Sequence, residues 1–482
     1  MRYVSTRGQA PAIGFLDAIL AGLAPDGGLY VPESWPTALD RDAFRKSAAT
    51  SGFEYIALNV LKLFAGDELE WDEAASLASA AYLGVKDMEA PEIAPWPPAV
   101  TPLVQMGPGE WLLELFHGPS LAFKDVAMQL LGPLYDFALE KRDQRLTVVC
   151  ATSGDTGGAA VEALKGRDRM DLFVLLPKGR VSDVQRRFMT TSGASNVFAI
   201  EIDGDFDACQ ALVKSLFADN EFSARARLSA VNSINWARIL AQSIYYHLAA
   251  NALSAAGPVN FAVPSGNFGD AFAGYVAKKM GAPIGKILAA TNANDILHRT
   301  LAQGRYERAP QSQATLSPAM DIQVASNFER LIFETTGRDG ELITRLYQQF
   351  AQSGGFDIPD AALAEMRETF HSAAVTDEET KLAMRNSAGF REDAVLCPHT
   401  AVAWYGRAKC MDADQPQGGP WVILATAHPA KFPDTVRDAT GAHPRLPAKC
   451  ADLFRREEKI EAMGADLEAV KTYISARSRA WR

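Results

Sequence analysis

Cysteine is scarce in this sequence and poorly placed for cross-linking. The five residues, Cys150, Cys209, Cys397, Cys410 and Cys450, contain no CxxC pair, and an odd, scattered set offers no disulfide framework. That usage fits a reducing cytoplasm. Basic charge is also in the minority. Lys and Arg number 48 against 58 Asp and Glu, a net charge of -10, which argues against a general binder of nucleic acid or membrane surfaces. An anionic ligand would therefore need a local cluster of donors. No window approaches the 18 or so uncharged apolar residues of a membrane span. The stretch 1–20 lacks a basic segment joined to a continuous apolar run, so no leader is expected. The seven histidines show no HExxH or other ligand spacing, so no metal site is expected. Neither GxxxxGK[ST] nor GxGxxG occurs: the nearest look-alike starts at Gly118 but carries Phe123 where the second glycine belongs. Support for a nucleotide-type P-loop or dinucleotide site is absent.

What is present suits a large soluble globular protein. The 482 residues are 48% hydrophobic, enough for two or three domains with their own cores. Residues 1–98 read as one unit, with a turn at 24–32 (APDGGLYVP) and a helical pattern in Tyr55, Leu58, Leu61, Leu63 and Phe64. The Pro-rich run 90–102 (APEIAPWPPAVTP) reads as its boundary. Beyond it, short β-branched runs alternate with helices. Strands are predicted at 146–151, 172–176, 197–202, 259–263, 286–290 and 421–424. Several are continuously apolar, as strands covered on both faces are. The alternation predicts an α/β fold with more than one mainly parallel sheet. The 412–420 segment (DADQPQGGP) reads as a surface loop.

Four strings carry candidate chemistry. In LELFHGPSLAFKD (113–125) a Gly118-Pro119 turn leads into a helix with Ala127, Leu130, Leu131, Leu134, Phe137 and Ala138 on one face, and Pro133 placed to kink it. Lys124 stands at the helix start beside an apolar run. Helix dipole and burial both disfavour its ammonium form, and a neutral amine is what a Schiff base needs. Taken alone, a lone lysine is more often solvated. ATSGDTGG (151–158) and VPSGNFGDAFAG (263–274) each run from a strand through small residues into a helix, the layout in which backbone N–H groups hold an anion. Each alone could be an ordinary tight turn. TAHPAKF (426–432) follows the last strand candidate, where ligands sit in open α/β sheets; for His428 a structural role is the safer reading.

Together these strings resemble the signature set of threonine synthase, a member of the fold-type II group of pyridoxal 5'-phosphate (PLP) enzymes. IDGDFDACQALVK, AATNANDIL and SPAMDIQVASNFER are similar to the same family, and the likeness runs in family order over residues 2–436, closest to the branch with an added N-terminal region. The resemblance implies a fold-type II enzyme with two open, mainly parallel α/β subdomains. The units would be 1–98, an N-terminal region; 99–436, a catalytic region of two interleaved subdomains; and 437–482, a tail packing on it. It implies that Lys124 carries PLP and that Gly266, Asn267, Phe268, Gly269 and Asp270 hold the cofactor phosphate through backbone N–H groups. Thr426 would face the pyridine nitrogen. Ser153, Gly154, Asp155 and Thr156 would receive the substrate carboxylate near the cofactor's 3-oxygen. Many of the fold group place Asn where this chain has Asp155; an anion beside a phenolate is unfavourable, so Asp155 is expected to face solvent or a backbone amide.

The implied reaction turns O-phospho-L-homoserine and water into L-threonine and phosphate. Lys124, displaced by the substrate amine, is the natural base at Cα; phosphate leaves from Cγ and water adds at Cβ. The substrate phosphate needs donors, and Arg180 ranks first because it follows the carboxyl end of a strand, ahead of Lys178, Ser120, Asn327, Arg330 and Lys431. A serine or threonine dehydratase of the same fold group, and a family-like PLP protein without turnover, are the alternatives. A monomer or homodimer in the cytoplasm is expected.

Overall fold

The continuously apolar runs form the middle strands of two parallel sheets. A computed structural model describes residues 1–36, 52–83, 96, 99–388, 395–412 and 418–481. The larger sheet has six strands in the order Phe370–Ala374, Ile284–Thr291, Val259–Pro264, Trp421–Ala425, Glu110–Glu114 and Leu103–Gly107. All neighbours are parallel except the last pair. The smaller sheet has five parallel strands: Glu461–Gly464, Val197–Asp203, Met170–Pro177, Leu146–Ala151 and Leu228–Ser229. Met170–Pro177 is buried at every position, as a strand with both faces covered must be. Four strands of the smaller sheet are inserted between strands of the larger one and the fifth comes from the tail, and the α/β reading holds.

All six predicted strands appear. Five others in these two sheets were not foreseen: Leu103–Gly107 and Glu110–Glu114 at one edge of the larger sheet, Phe370–Ala374 at its other edge, Leu228–Ser229 at one edge of the smaller sheet and Glu461–Gly464, from the tail, at its other edge. Edge strands bury one side only and carry weaker apolar runs. The helix expected around Tyr55 spans Gly52–Ala65. The lysine helix runs unbroken as Lys124–Lys141 through Pro133. Its expected apolar face is buried except for Phe137.

The N-terminal region contributes an antiparallel sheet of three strands, Ile13–Gly14, Arg2–Ser5 and Tyr30–Pro32. Its Tyr3, Phe15 and Phe64 lie in the same apolar core as Trp236 and Leu130. The tail extends the five-stranded sheet, and its helix Leu467–Arg477 packs on Phe206–Ala218. Lys449 also donates to the His117 and Gly118 carbonyls, tying down the turn that precedes Lys124. The predicted boundary run 90–102 lies mostly outside the described residues, as does 413–417 of the predicted surface loop.

Candidate active site

Lys124 is the first residue of its helix. The chain before it is stitched to the end of the Trp421–Ala425 strand: Phe123 N donates to Thr426 O at 2.8 Å, His428 N to Leu121 O at 3.0 Å, and Ala122 pairs with Ala427. This places Lys124 beside Thr426. Burial lowers the Lys124 pKa to about 8, and Arg238 and Lys431 press the same way, while Asp155 opposes them. The sequence expectation of a lysine with reduced proton affinity is met, chiefly through desolvation.

Asp155 opens the helix Asp155–Leu164. It does not face solvent or a backbone amide, contrary to expectation. Its Oδ1 accepts from Gln185 Nε2 at 2.9 Å and lies 3.0 Å from Lys431 Nζ; its Oδ2 is 3.9 Å from Lys124 Nζ. Burial alone would raise this carboxyl's pKa, but Lys431, then Lys124, His399 and Gln185, hold it well below the usual range. Two cations in place of one solvent shell are what the sequence could not show.

Around Asp155 the 153–156 loop is shaped for an anion. Thr152 Oγ1 accepts from Gly154 N and Gly157 N, both at 2.9 Å. Among the described residues the N–H groups of Ser153, Asp155 and Thr156 donate to no protein acceptor. Gly154 has φ 136° and a Cβ there would collide with Gln185, so glycine is required.

The second loop, 265–270, joins Val259–Pro264 to the helix Gly269–Lys279. Among the described residues none of the N–H groups of Gly266, Asn267, Phe268, Gly269 and Asp270 finds a protein acceptor. Ser265 Oγ is buried and likewise without a partner. Phe268 sits at φ 61° and turns the loop. A Cβ on Gly266 would stand 3.1 Å from Ala319 O, and one on Gly269 3.1 Å from Asn327 Nδ2. Open donors, an orphaned hydroxyl and no room for side chains together fit a phosphate group. The Asp270 side chain turns away, onto Tyr245 and Tyr246, so only its backbone belongs to this cradle. Thr426 N donates to Thr400 Oγ1 at 3.2 Å, and its own Oγ1 has no partner among the described residues.

Similarity settles which reaction family this site belongs to. Family models match in three stretches: "Threonine synthase N terminus" over 2–82, "Pyridoxal-phosphate dependent enzyme" over 98–427 and "Threonine synthase, C-terminal" over 400–474. A threonine synthase of Pseudomonas aeruginosa is 46% identical over 482 residues, covering 98% of each chain. The chain belongs to the threonine synthase family. The crystal structure of PLP-bound threonine synthase from Brucella melitensis superposes with a TM-score of 0.92 at 48% identity, covering 99% of this chain and 100% of that one. Yeast threonine synthase gives 0.90 at 37%, covering 99% and 98%. The protein is therefore a PLP enzyme, as the sequence resemblance implied.

Within this threonine synthase fold the candidate phosphate donors separate. Arg330 is withdrawn: it is fully buried, and its guanidinium donates to Tyr30 O, Ile234 O and Asn327 Oδ1. Asn327 donates to Asn267 O at 3.2 Å, bracing the 265–270 loop. Ser120 Oγ is spent on Asp125 at 2.6 Å. Lys431 is spent on Asp155 and on Ser120 O at 2.6 Å. Arg180 and Lys178 are exposed, in the turn after Met170–Pro177. Among the described residues the Arg180 guanidinium makes no hydrogen bond or ion pair. Two residues on, Ser182 Oγ donates to Lys431 O at 2.8 Å, so this turn borders the Lys124 cluster.

Sequence reasoning missed His399. Its Nε2 accepts from Ala319 N at 3.2 Å, on the segment that flanks Gly266, and its ring packs 4.9 Å from Phe432. Burial lowers its pKa to about 4, so it is neutral and Nδ1 carries the hydrogen. The string CPHT at 397–400 gave no ligand-type spacing by which to find it.

Proposed function

We infer that the protein converts O-phospho-L-homoserine and water to L-threonine and phosphate, completing threonine formation. The carrying observation is the pair of open anion cradles, 153–156 and 265–270, that flank one buried lysine. A cofactor phosphate and a substrate carboxylate would each take one. When bound, PLP supplies the electron sink that acidifies the substrate Cα–H. Lys124 Nζ would carry the cofactor and, once displaced, hold the proton taken from Cα. The 265–270 N–H groups and Ser265 would bind the cofactor phosphate, and Thr426 Oγ1 would meet the ring nitrogen. Ser153, Gly154 and Thr156 would orient the substrate carboxylate. Arg180, uncommitted and at the rim, would meet the leaving phosphate with a guanidinium fork. The units 1–98, 99–436 and 437–482 would work as one catalytic body. Each chain supplies all of these groups, so a monomer or homodimer would serve. Five unpaired thiols suit a reducing cytoplasm.

The test is a two-by-two comparison. Wild type and Arg180→Ala are assayed for threonine with O-phosphohomoserine and O-acetylhomoserine. Loss of one charge-assisted contact of about 3 kcal/mol should cut kcat/KM roughly 100-fold for the phosphate ester only. Equal losses on both substrates would remove Arg180 from the phosphate site. Deamination of serine or threonine without threonine production from the ester would favour a dehydratase.

A further inference from the structure

We propose that Lys431 is a positioning residue for proton transfer: it holds one oxygen of the Asp155 carboxylate and offsets the pull of the other on Lys124, so that Lys124 is free to take the substrate proton. This rests on Lys124 as the base of the reaction above.

The geometry divides the carboxylate between two lysines. Oδ1 is saturated by Lys431 Nζ at 3.0 Å and Gln185 Nε2 at 2.9 Å, while Oδ2 points to Lys124 Nζ at 3.9 Å. Lys431 is wholly buried and fixed at both ends: its Nζ donates to Ser120 O at 2.6 Å, and its carbonyl accepts from Ser182 Oγ at 2.8 Å. Ser120 lies in the turn that delivers Lys124, and its Oγ binds Asp125. Lys431 is thus braced against the same turn as the lysine it serves. Stability alone does not explain the pair, because apolar residues of like volume would stabilise the fold as well.

In the step concerned the Cα–H bond breaks and its electron pair stays on the substrate side, in the conjugated system the bound cofactor supplies. The proton forms a new N–H bond on Lys124 Nζ, and Asp155 forms none. Without Lys431 the carboxylate would face Lys124 as its one lysine partner, favouring the ammonium and leaving less neutral amine to take the proton.

The charges around Lys124 come from every packed element. Asp125 lies on its own helix, Asp155 on the next, Arg238 on Trp236–Leu253, Asp270 on Gly269–Lys279, His399 on Pro398–Asp412, and Lys431 on the turn after Trp421–Ala425. After burial, Asp155 is the largest influence on Lys124, and Lys431 opposes it. Removing Lys431 therefore relieves a repulsion and leaves Asp155 to Lys124 alone.

The titration of Lys124 is read by NMR of ¹³C-labelled lysine in the cofactor-free protein, so the result does not depend on the substrate. In Lys431→Met the Lys124 pKa should rise by about one unit, a tenfold loss of neutral amine at lower pH. In the holoenzyme the acid limb of kcat/KM should move up with it. Lys431→Arg should restore both in part. An unchanged Lys124 titration in folded Lys431→Met overturns the proposal, and a raised KM for the phosphate ester with unchanged titration reassigns Lys431 to the substrate phosphate. Should the single variant not fold, the charge-balanced pair Asp155→Asn/Lys431→Met carries the test. There the Lys124 pKa should fall below wild type, because the stronger of two opposed influences is gone. An unchanged value again overturns it.

Discussion

The 153–156 and 265–270 loops are built alike: a buried parallel strand, small residues, and a helix that starts within a residue of an aspartate. Their aspartates meet opposite surroundings. Asp155 is turned inward to two lysines, and although burial works against it, those cations hold its pKa well below the usual range. Asp270 is turned outward from its cradle to two phenols, and burial pushes its pKa up to about 6 despite their hydrogen bonds. One motif therefore supplies an acid held ionised beside Lys124 and an acid of raised proton affinity behind the 265–270 loop. The difference lies in what packs against the helix start, since the local strings SGD and FGD are close to interchangeable.

Both loops have meaning only if they serve Lys124, and removing it is the widest break in the comparison. Lys124→Ala should lower threonine formation by about 10⁴-fold or more, because one amine both carries the cofactor and moves the proton. The structure places a second amine, Lys431, in the same cluster, but it is committed to Asp155 and Ser120 O. Borohydride treatment of the PLP-loaded variant should accordingly trap no adduct. An adduct on Lys431 would show that the two lysines are exchangeable and that the asymmetry drawn here is wrong.

Next in size is the inward aspartate. Asp155→Asn leaves Lys431 buried without its counter-charge, and breaking a buried pair from one side costs about 3–5 kcal/mol. Urea unfolding at neutral pH should show that loss. The wild-type advantage should hold above the ordinary carboxylate range and shrink as pH falls below about 4, because a depressed folded pKa gives stability only while the unfolded group is ionised. A loss under about 1 kcal/mol would mean that Lys431 finds another partner.

The cradles themselves can be told apart by crowding. Gly266→Val and Gly269→Val each press a branched side chain into a neighbour 3.1 Å from the position of Cβ, so PLP affinity should fall about tenfold to 100-fold, measured by equilibrium dialysis. Gly154→Ala has no part in the cofactor cradle. It should retain PLP while raising KM for the substrate. Loss of PLP from the Gly154 variant at the same rate would merge the two loops into one site.

How much of this was legible in sequence depends on the range of the contact. Strands such as Leu146–Ala151 and Val259–Pro264 were legible because burial on both faces writes a continuous apolar run. The two cradles were legible because small residues between a strand and a helix have few other uses. The environment of Asp155 was not, because Lys431 lies 276 positions away (431 minus 155) and Gln185 belongs to a helix with no chemical signature. Lys431 and Arg330 each looked like phosphate ligands for the same reason: a cation's partner cannot be read from its own neighbours. Arg330 proved to be tied to the Tyr30 carbonyl of the N-terminal region and to the Ile234 carbonyl, which a local pattern does not record.

The smallest expected effect sharpens the comparison most. Asp270 Oδ1 receives both phenol hydrogens, and Oδ2 is buried with no donor among the described residues. Asn at this position keeps the acceptor and removes the charge, at the cost of one N–H without an acceptor, so the net change at pH 7 should stay within about 1 kcal/mol. The pH dependence carries the information. A folded pKa of about 6 lies above the ordinary aspartate value of about 3.9, so the folded state binds the proton first as pH falls. Wild type should therefore gain stability over Asp270→Asn between pH 7 and about pH 4, where the Asp155 pair gives wild type no gain and below which it begins to lose. Denaturant midpoints of both variants and wild type across that range would give a sloping difference curve for Asp270→Asn and a flat one for Asp155→Asn. A flat curve for Asp270→Asn would mean that this carboxyl is solvated in the folded protein. The contrast between an acid held ionised and one of raised proton affinity would then reduce to Asp155 alone.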